Sequence, residues 1–192
     1  MKIRETIYKV NCQVENNSNF YYGDNFMEYL FYLILFLFLG TFAYAGIKAA
    51  PWFPTWSKDI ERFLKLAELK PGQKFYDLGC GDGKLVFAAA GAGAEAVGFE
   101  ISLLPYLIAL SRSFNIKNTK IIFKDFWKAN LSDVDVVYIF LTPKVNPKAK
   151  IKLEQELKKG SRVITYSWPI EGWIPVKTDL VPGHLPMYLY II

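Results

Sequence analysis

A short loop that alternates glycines with acidic side chains is the part of the sequence best suited to chemistry. It comprises Asp77, Leu78, Gly79, Cys80, Gly81, Asp82 and Gly83. Glycines lack a Cβ atom, so the backbone can turn sharply there and approach a ligand closely. The N–H groups at the start of a following helix suit a negative or polar group of that ligand. Asp77 is placed to pair with a ligand ammonium group.

Two further acidic residues follow this loop at the spacing of a nucleoside site. Glu100 ends the second apolar strand pattern, and Asp125 with Phe126 ends the third. The carboxyl ends of parallel strands lie side by side, and ligands bind along that edge. We expect Glu100 to accept hydrogen bonds from two ribose hydroxyls. Asp125 and Phe126 are expected to meet the amine and the face of an adenine.

The charge of the loop distinguishes between two nucleoside cofactors. The dinucleotide fingerprint is Gly-x-Gly-x-x-Gly, whereas the glycines here stand at positions 79, 81 and 83. Asp77 and Asp82 would repel a diphosphate, but they would attract the cation of a sulfonium amino acid. The loop therefore favours the methyl donor S-adenosylmethionine, with NAD as the alternative.

Strand and helix patterns alternate around these residues. The apolar spacing predicts strands over residues 74–78, 96–99, 120–123, 134–141 and 162–166. Helices are predicted from position 55 or 57 to position 70, and over residues 84–90, 103–114 and 148–158.

The end of the chain differs from this alternation, since residues 174–180 and 187–192 predict a closing hairpin. We therefore expect an α/β fold, namely a Rossmann-like, mostly parallel sheet of seven strands with a C-terminal antiparallel hairpin, preceded by one transmembrane helix. The hairpin is expected to place one antiparallel strand at the sheet edge.

The transmembrane prediction rests on an uncharged apolar segment, residues 29–47. About 20 apolar residues are needed to cross the hydrocarbon of a bilayer. Acidic residues precede the segment and basic residues follow it, so the positive-inside rule places the C-terminal domain in the cytoplasm. Two alternatives are a cleaved leader, because Ala43, Tyr44 and Ala45 resemble a signal-peptidase site, and a hydrophobic hairpin inside a globular fold.

The predicted organisation has four parts. They are an N-terminal tail (1–28), a transmembrane helix (29–47), a linker with a helix (48–70) and a catalytic domain (71–192). The formal net charge of +5 suits an anionic membrane surface and is modest for a nucleic-acid partner, which we do not expect. Cys12 and Cys80 form no disulfide or zinc pattern, and no metal is expected.

The loop and the strand ends resemble class I (seven-strand) methyltransferases, which bind S-adenosylmethionine. Over residues 51–168 the motifs are similar to those of a narrower family. They are Pro-Trp-Phe-Pro-Thr ending at Thr55, Leu-Lys-Pro-Gly ending at Gly72, Leu-Thr-Pro-Lys-Val-Asn ending at Asn146 and Glu-Leu-Lys-Lys-Gly-Ser-Arg-Val ending at Val163. That family has mitochondrial members which methylate lysines of the ADP/ATP carrier and of the ATP synthase c-subunit. They also have one hydrophobic segment before the catalytic domain.

This resemblance implies a lysine N-methyltransferase that acts on a membrane protein. The residues expected to bind the cofactor are Asp77, Leu78, Gly79, Cys80, Gly81, Gly83, Glu100, Asp125 and Phe126. Pro54, Thr55, Thr142, Pro143 and Asn146 are the candidates for the acceptor side.

Aromatic walls would exclude water from an acceptor amine and lower its pKa, because burial disfavours the charged form. The candidates for such walls are Trp52, Phe53, Tyr106 and Trp168, which could equally be core or membrane-interface residues. No residue is a compelling general base, and His184 is expected in an exposed hairpin turn. Two other functions remain open: a small-molecule or lipid (quinone-like) methyltransferase, and a non-catalytic membrane protein that binds the cofactor.

Overall fold

The computed structural model describes residues 25–47 and 55–192. The chain divides into two units, Met1–Gly40 and Thr41–Ile192. Trp52, Phe53, Pro54 and most of the predicted tail lie outside the described residues.

Helix α1, Asn25–Ile47, corresponds to the predicted transmembrane segment and begins four residues earlier. It is long and apolar enough to cross a membrane, as a signal sequence near an N-terminus also is. Its large apolar side chains between Phe26 and Leu39 are mostly more than half exposed. A helix with an apolar surface all round is suited to a lipid environment.

A seven-stranded sheet organises the second unit, as the sequence predicts. The strands are β1 (Lys74–Leu78), β2 (Glu95–Glu100), β3 (Thr119–Phe123), β4 (Val136–Ile139), β5 (Arg162–Tyr166), β6 (Lys177–Asp179) and β7 (Met187–Ile191). Their order is β3-β2-β1-β4-β5-β7-β6. Neighbouring strands from β3 to β5 pair in parallel, whereas β7 is antiparallel to both of its neighbours.

The expectation of an antiparallel strand at the edge holds for β6, although β7, the last strand of the chain, lies inside the sheet between β5 and β6. Burial explains this order, because Met187, Leu189 and Tyr190 of β7 are buried, whereas the three residues of β6 are polar and largely exposed. The more apolar strand takes the interior position, and a short charged strand is left where unpaired backbone groups meet water.

The helices are α2 (Ile60–Ala67), α3 (Lys84–Gly91), α4 (Leu103–Ser113) and α5 (Asn146–Glu156). A 3₁₀ turn, Ser57–Asp59, precedes α2. Helix α5 begins two residues before the predicted start, because Pro147 occupies the first turn, where a missing N–H costs nothing. It ends before Leu157, which turns to an extended conformation and is buried in the core.

Two apolar layers cover the two faces of the sheet. Phe75, Tyr138 and Ile164 belong to the layer that includes α2, α3 and α4, and Val137 and Val163 belong to the layer that includes α5. All four residues of β4 are buried, as expected for a central strand, although β4 is shorter than the predicted 134–141.

Register along the sheet brings the candidate site residues together. Asp77 of β1 pairs with Tyr138 of β4, and Leu78 pairs with Phe99 of β2. Paired residues project from the same face, so Asp77 and Tyr138 face one side near the carboxyl ends of their strands.

Candidate functional site

A cavity of about 280 Å³ lies at the carboxyl ends of β1, β2 and β4. Seven residues predicted to bind the cofactor line this cavity: Asp77, Leu78, Gly79, Cys80, Gly81, Glu100 and Phe126. Thr55 and Thr142, which were predicted on the acceptor side, also line it. The fold thus brings most of the predicted residues to one place, where α/β sheets bind their ligands.

Among the described residues, two of those predicted to bind the cofactor (Gly83 and Asp125) and two of those predicted on the acceptor side (Pro143 and Asn146) do not line this cavity. Gly83 precedes α3 with a φ of +82°, and a Cβ there would lie 2.6 Å from the Phe87 ring, so a larger residue would be strained and would displace that ring. The Asn146 amide donates to Pro169 O at 3.3 Å, and Pro143 begins a 3₁₀ turn. Asp125 caps a second 3₁₀ turn by accepting from Trp127 N at 3.0 Å.

The glycine loop is fixed to the end of β2 by its own backbone. The N–H groups of Gly79 and Cys80 both donate to Phe99 O at 2.9 Å. This turn requires a φ of +108° at Gly79, a conformation that residues with a Cβ rarely adopt. Among the residues that the structure describes, and apart from the two sequence neighbours of Gly79, no atom lies within 4 Å of an ideal Cβ on that glycine, so there is open space beside the loop.

The two aspartates of the glycine loop, Asp77 and Asp82, have different electrostatic surroundings. Burial, together with the charges of Glu100 and Asp82, raises the pKa of Asp77 well above its ordinary value. Asp82 instead has cations beside it: Arg112 Nη1 lies 2.7 Å from its Oδ2, and Lys84 Nζ lies 3.5 Å from the same atom. Burying an ionised carboxylate is costly unless a cation lies beside it. A cationic ligand group would therefore be stabilised most beside Asp77.

Glu100 is held rigidly by backbone donors. Its Oε1 accepts from Ile101 N at 2.8 Å and from Ser102 N at 2.6 Å, and its Oε2 accepts from Gly81 N at 2.9 Å. Each carboxylate oxygen can accept two hydrogen bonds, so Oε2 retains capacity for a ligand hydroxyl. The same carboxylate links the glycine loop to the end of β2.

Aromatic and hydroxyl side chains form another part of the lining. Tyr138, Phe140 and Trp168 line it with Thr55 and Thr142. Trp168 was a predicted wall, whereas Tyr106 packs against Phe123 with ring centroids 5.1 Å apart and is not in the lining. Tyr138 and Phe140 were not among the predicted site residues, because both lie in an apolar run. The hydroxyl group of Tyr138, a polar group within an otherwise apolar run, was the signal that could have identified this residue as part of the site.

The last turns of α1, which belong to the second unit, also reach this site. Ala45 lines the cavity, and Leu103 N donates to Thr41 Oγ1 at 3.2 Å. Tyr44 donates to Asp125 Oδ2 at 3.4 Å. These residues were not predicted to belong to the site, because an apolar helix pattern contains no signal for such contacts.

A known protein family matches the part of the chain that contains the glycine loop and the strand ends of the cavity. The model described as the ANTKMT methyltransferase domain matches residues 77–177, which is more than half of the chain. The chain belongs to this methyltransferase family. It is a class I enzyme whose cofactor is S-adenosylmethionine, and the predicted family, fold and cofactor are thereby confirmed.

Relatives of this methyltransferase include an archaeal and a mammalian protein. A "Protein-lysine N-methyltransferase" of Saccharolobus islandicus is 34% identical over 74% of this chain and 93% of its own length. The lysine N-methyltransferase of the ATP synthase c-subunit from Rattus norvegicus is 35% identical over 67% of this chain. The match spans 60% of the rat protein's length.

One solved structure shares both fold and sequence with this methyltransferase. It is an RNA methyltransferase from Salinibacter ruber in complex with S-adenosyl-L-homocysteine, with a TM-score of 0.69 and 30% identity. The similarity covers 73% of this chain and 94% of that one. The residues present in this chain fit the same cofactor, since a buried carboxyl at Asp77 and a fixed carboxylate at Glu100 face an open glycine turn.

Proposed function

We propose that this methyltransferase is a protein-lysine N-methyltransferase anchored in a membrane, with a membrane protein as its acceptor. The observation that carries the proposal is the match over 93% of the length of the Saccharolobus protein, whose name specifies lysine N-methylation. The rat relative, whose name specifies one component of ATP synthase, favours a membrane acceptor. Helix α1 is suited to hold the enzyme in the same bilayer as that acceptor.

The proposed cofactor subsite follows from charge and from hydrogen-bonding capacity. S-adenosylmethionine, when bound, supplies a methyl group activated by attachment to a sulfonium. Asp77 would pair with the ammonium group of the cofactor, and Glu100 Oε2 would accept from one of its ribose hydroxyls. Phe126, which is buried at the cavity, packs against the adenine face. These contacts would hold the donor at the carboxyl ends of the strands, next to the aromatic part of the cavity.

The proposed acceptor subsite works by exclusion of water. Tyr138, Phe140 and Trp168 surround the incoming amine with rings, which lowers the amine pKa because burial disfavours the charged form. The neutral amine then uses its lone pair to form the new N–C bond while the S–C bond breaks and its electron pair stays on sulfur. The surplus N–H proton passes to water after transfer. Alignment of the two reactants contributes up to about 7–11 kcal/mol to such a reaction.

The chain organisation predicted from sequence fits this proposal. In this organisation residues 29–47 span the bilayer, and residues 48–70 form a linker with a helix. Residues 71–192 form the catalytic domain on the cytoplasmic side. The basic residues that follow α1 favour that orientation. Ala45, near the end of α1, lines the cavity, and Tyr44 donates to Asp125 beside the cavity residue Phe126, which favours a catalytic centre close to the bilayer surface.

Radiolabelled methyl donor tests the proposal. The purified full-length chain is incubated with the donor and with membranes from its own source, and label is expected in a protein band. Protease should release this label, and mass spectrometry should find it on a lysine Nε. The Asp77→Asn variant is the control for donor-dependent labelling.

The alternative acceptors give different results in the same experiment. Label that extracts into organic solvent would refute the protein acceptor and identify a lipid or quinone-like small molecule. Label that is sensitive to ribonuclease would identify RNA, the acceptor class that the name of the Salinibacter enzyme specifies. Cofactor binding without transfer to any fraction would indicate a non-catalytic protein.

A further inference from the structure

Two hydroxyl groups meet in the aromatic part of the cavity. The Thr55 Oγ1 and Tyr138 Oη atoms are 3.2 Å apart, and either can be the donor. Both residues line the cavity, and Tyr138 is 2% exposed. We refer to Thr55 and Tyr138 as the hydroxyl pair. It joins β4 to the segment that precedes α2, two parts of the chain separated by 83 positions.

Two aromatic neighbours pack against the ring of Tyr138. Its ring packs edge-on against Phe63 with centroids 5.5 Å apart, and Tyr166 lies 6.4 Å away on the next strand. Burial raises the pKa of Tyr138 well above its ordinary value and outweighs the hydrogen bond with Thr55, which lowers it. The phenol therefore stays protonated and neutral at physiological pH, so it serves as a hydrogen-bonding group and not as a base.

The bonding capacity of the hydroxyl pair suits a neutral amine. One hydroxyl donates to the other, which leaves lone pairs on both oxygens to accept hydrogen bonds from outside the pair. The other ionisable residues of the lining are Asp77, Asp82, Lys84, Glu100, Lys124 and the thiol Cys80. Asp77 and Glu100 face the proposed cofactor subsite, and Lys84 and Asp82 pair with each other. A hydroxyl acceptor between aromatic rings matches the N–H groups of an uncharged lysine.

We propose that the hydroxyl pair accepts an N–H of the acceptor lysine and thereby aligns the amine lone pair with the methyl group. Tyr138 and Thr55 are then positioning residues that discriminate between acceptors by their degree of methylation. An unmethylated amine offers two N–H groups, a monomethylated amine one, and a neutral dimethylated amine none. The hydroxyl pair consequently assists the first and second transfers and gives no assistance to a third. This inference rests on the proposed lysine acceptor.

The test compares acceptors that differ only in methylation. Three peptides, copied from the site labelled in membranes, contain the target lysine unmethylated, monomethylated or dimethylated. Mass spectrometry follows each product, and kcat/KM is measured with the full-length wild-type chain and with Tyr138→Phe. We expect Tyr138→Phe to lower the ratio of kcat/KM for the unmethylated over the dimethylated peptide by about tenfold, the factor that corresponds to one hydrogen bond. Calorimetric affinity for S-adenosyl-L-homocysteine is expected to stay unchanged.

Three further variants separate positioning from structure. Thr55→Val should lower the same ratio, and Thr55→Ser, which keeps the hydroxyl, should restore it. Tyr166→Phe is the matched control, because Tyr166 is equally buried and its hydroxyl bonds Asp59 outside the cavity lining. It should leave the ratio unchanged even where it lowers stability.

Two results would overturn the inference while the proposed function stands. One is an unchanged ratio in both Tyr138→Phe and Thr55→Val, measured on variants that retain cofactor affinity. The other is an equal fall in Tyr166→Phe. If wild-type enzyme transfers no methyl group to lysine in any peptide or membrane protein, the proposed function fails and this inference fails with it.

Discussion

At the scale of single residues, Glu100 has two functions in one carboxylate. It holds the glycine loop through Gly81 N and the end of β2 through Ile101 N and Ser102 N. In the proposed site it also accepts from the cofactor ribose. Glu100→Ala should therefore weaken binding of S-adenosyl-L-homocysteine by about a hundredfold or more, since hydrogen bonds to a charged group are worth about 1.5–3 kcal/mol each.

Calorimetry measures this affinity, and Glu95→Ala is the matched control. Glu95 lies at the opposite end of β2 and is exposed, so its removal should leave the affinity unchanged. An affinity in Glu100→Ala within a factor of about two of wild type would refute the ribose assignment.

The raised pKa of Asp77 predicts that the affinity for S-adenosyl-L-homocysteine depends on pH. Its raised pKa means that the free protein holds a proton there at pH values where an ordinary aspartate is ionised. The ammonium group of the ligand favours the ionised form, so binding releases that proton. Affinity for S-adenosyl-L-homocysteine should therefore increase as the pH rises from about 4 through the raised pKa of Asp77.

The control for this prediction is methylthioadenosine, which lacks the amino-acid part. Its affinity should change little over the same pH range, and Asp77→Asn should flatten the profile of the homocysteine ligand. Parallel pH profiles for the two ligands would contradict the pairing of Asp77 with the ammonium group.

At the scale of elements, a buried cluster around Asp59 ties the start of α2 to the C-terminal strands. Arg62 Nη1 donates to Asp59 Oδ1 at 2.8 Å, Tyr166 donates to Oδ2 at 2.5 Å, and the His184 ring contacts Oδ1. Arg62 also donates from Nε to Asp179 at 2.7 Å. His184, which the sequence placed in an exposed turn, is therefore part of a structural cluster.

This cluster predicts a loss of stability in Asp59→Asn. Burial alone would raise the pKa of Asp59, but hydrogen bonds from Tyr166, Arg62 and His184 outweigh it and lower the pKa below its ordinary value. The stabilisation by ionised Asp59 is thus complete above about pH 4 and is lost as the pH falls through the lowered pKa. At neutral pH we expect Asp59→Asn to reduce the free energy of unfolding by about 3 kcal/mol.

Urea denaturation measures this change, with Asp133→Asn as the control. Asp133 pairs with Lys74 at 2.5 Å, but its side chain is 52% exposed, so its loss should cost less than about 1 kcal/mol. Equal losses for the two variants would show that the Asp59 cluster contributes no more than a surface ion pair.

The elements also show how far the sequence predicts this site. β1 and β5 have the predicted bounds, and Asp77 and Glu100 at neighbouring strand ends line one cavity. These features could be predicted because they depend on residue types and on their spacing along the chain. The face on which Tyr138 projects depends on strand register, and an apolar run that is buried on both faces does not reveal it. The order of β6 and β7 depends on which strand buries more surface, which is a property of the assembled sheet.

At the scale of the whole molecule, the function of α1 is the main prediction that awaits a test. Each strongly apolar residue contributes about 0.3–0.6 kcal/mol to insertion, whereas an arginine at the helix centre costs about 3 kcal/mol. Two arginines, Leu33→Arg with Phe36→Arg, should therefore offset the insertion free energy of α1. We expect the wild-type chain to remain in the membrane pellet after an alkaline wash and the double variant to be largely released.

The matched control introduces the same charges into exposed apolar positions outside α1. Ile174 and Leu180 are 90% and 70% exposed, and the double variant Ile174→Arg with Leu180→Arg should pellet like wild type. Intact mass spectrometry of the pelleted chain separates an anchor from a leader, because cleavage after Ala45 would leave a chain that begins at Gly46. Ala45 lines the cavity and Tyr44 donates to Asp125, so cleavage there would also remove both of these contacts. An active chain that begins at Gly46 would contradict both the anchor and the contribution of α1 to catalysis.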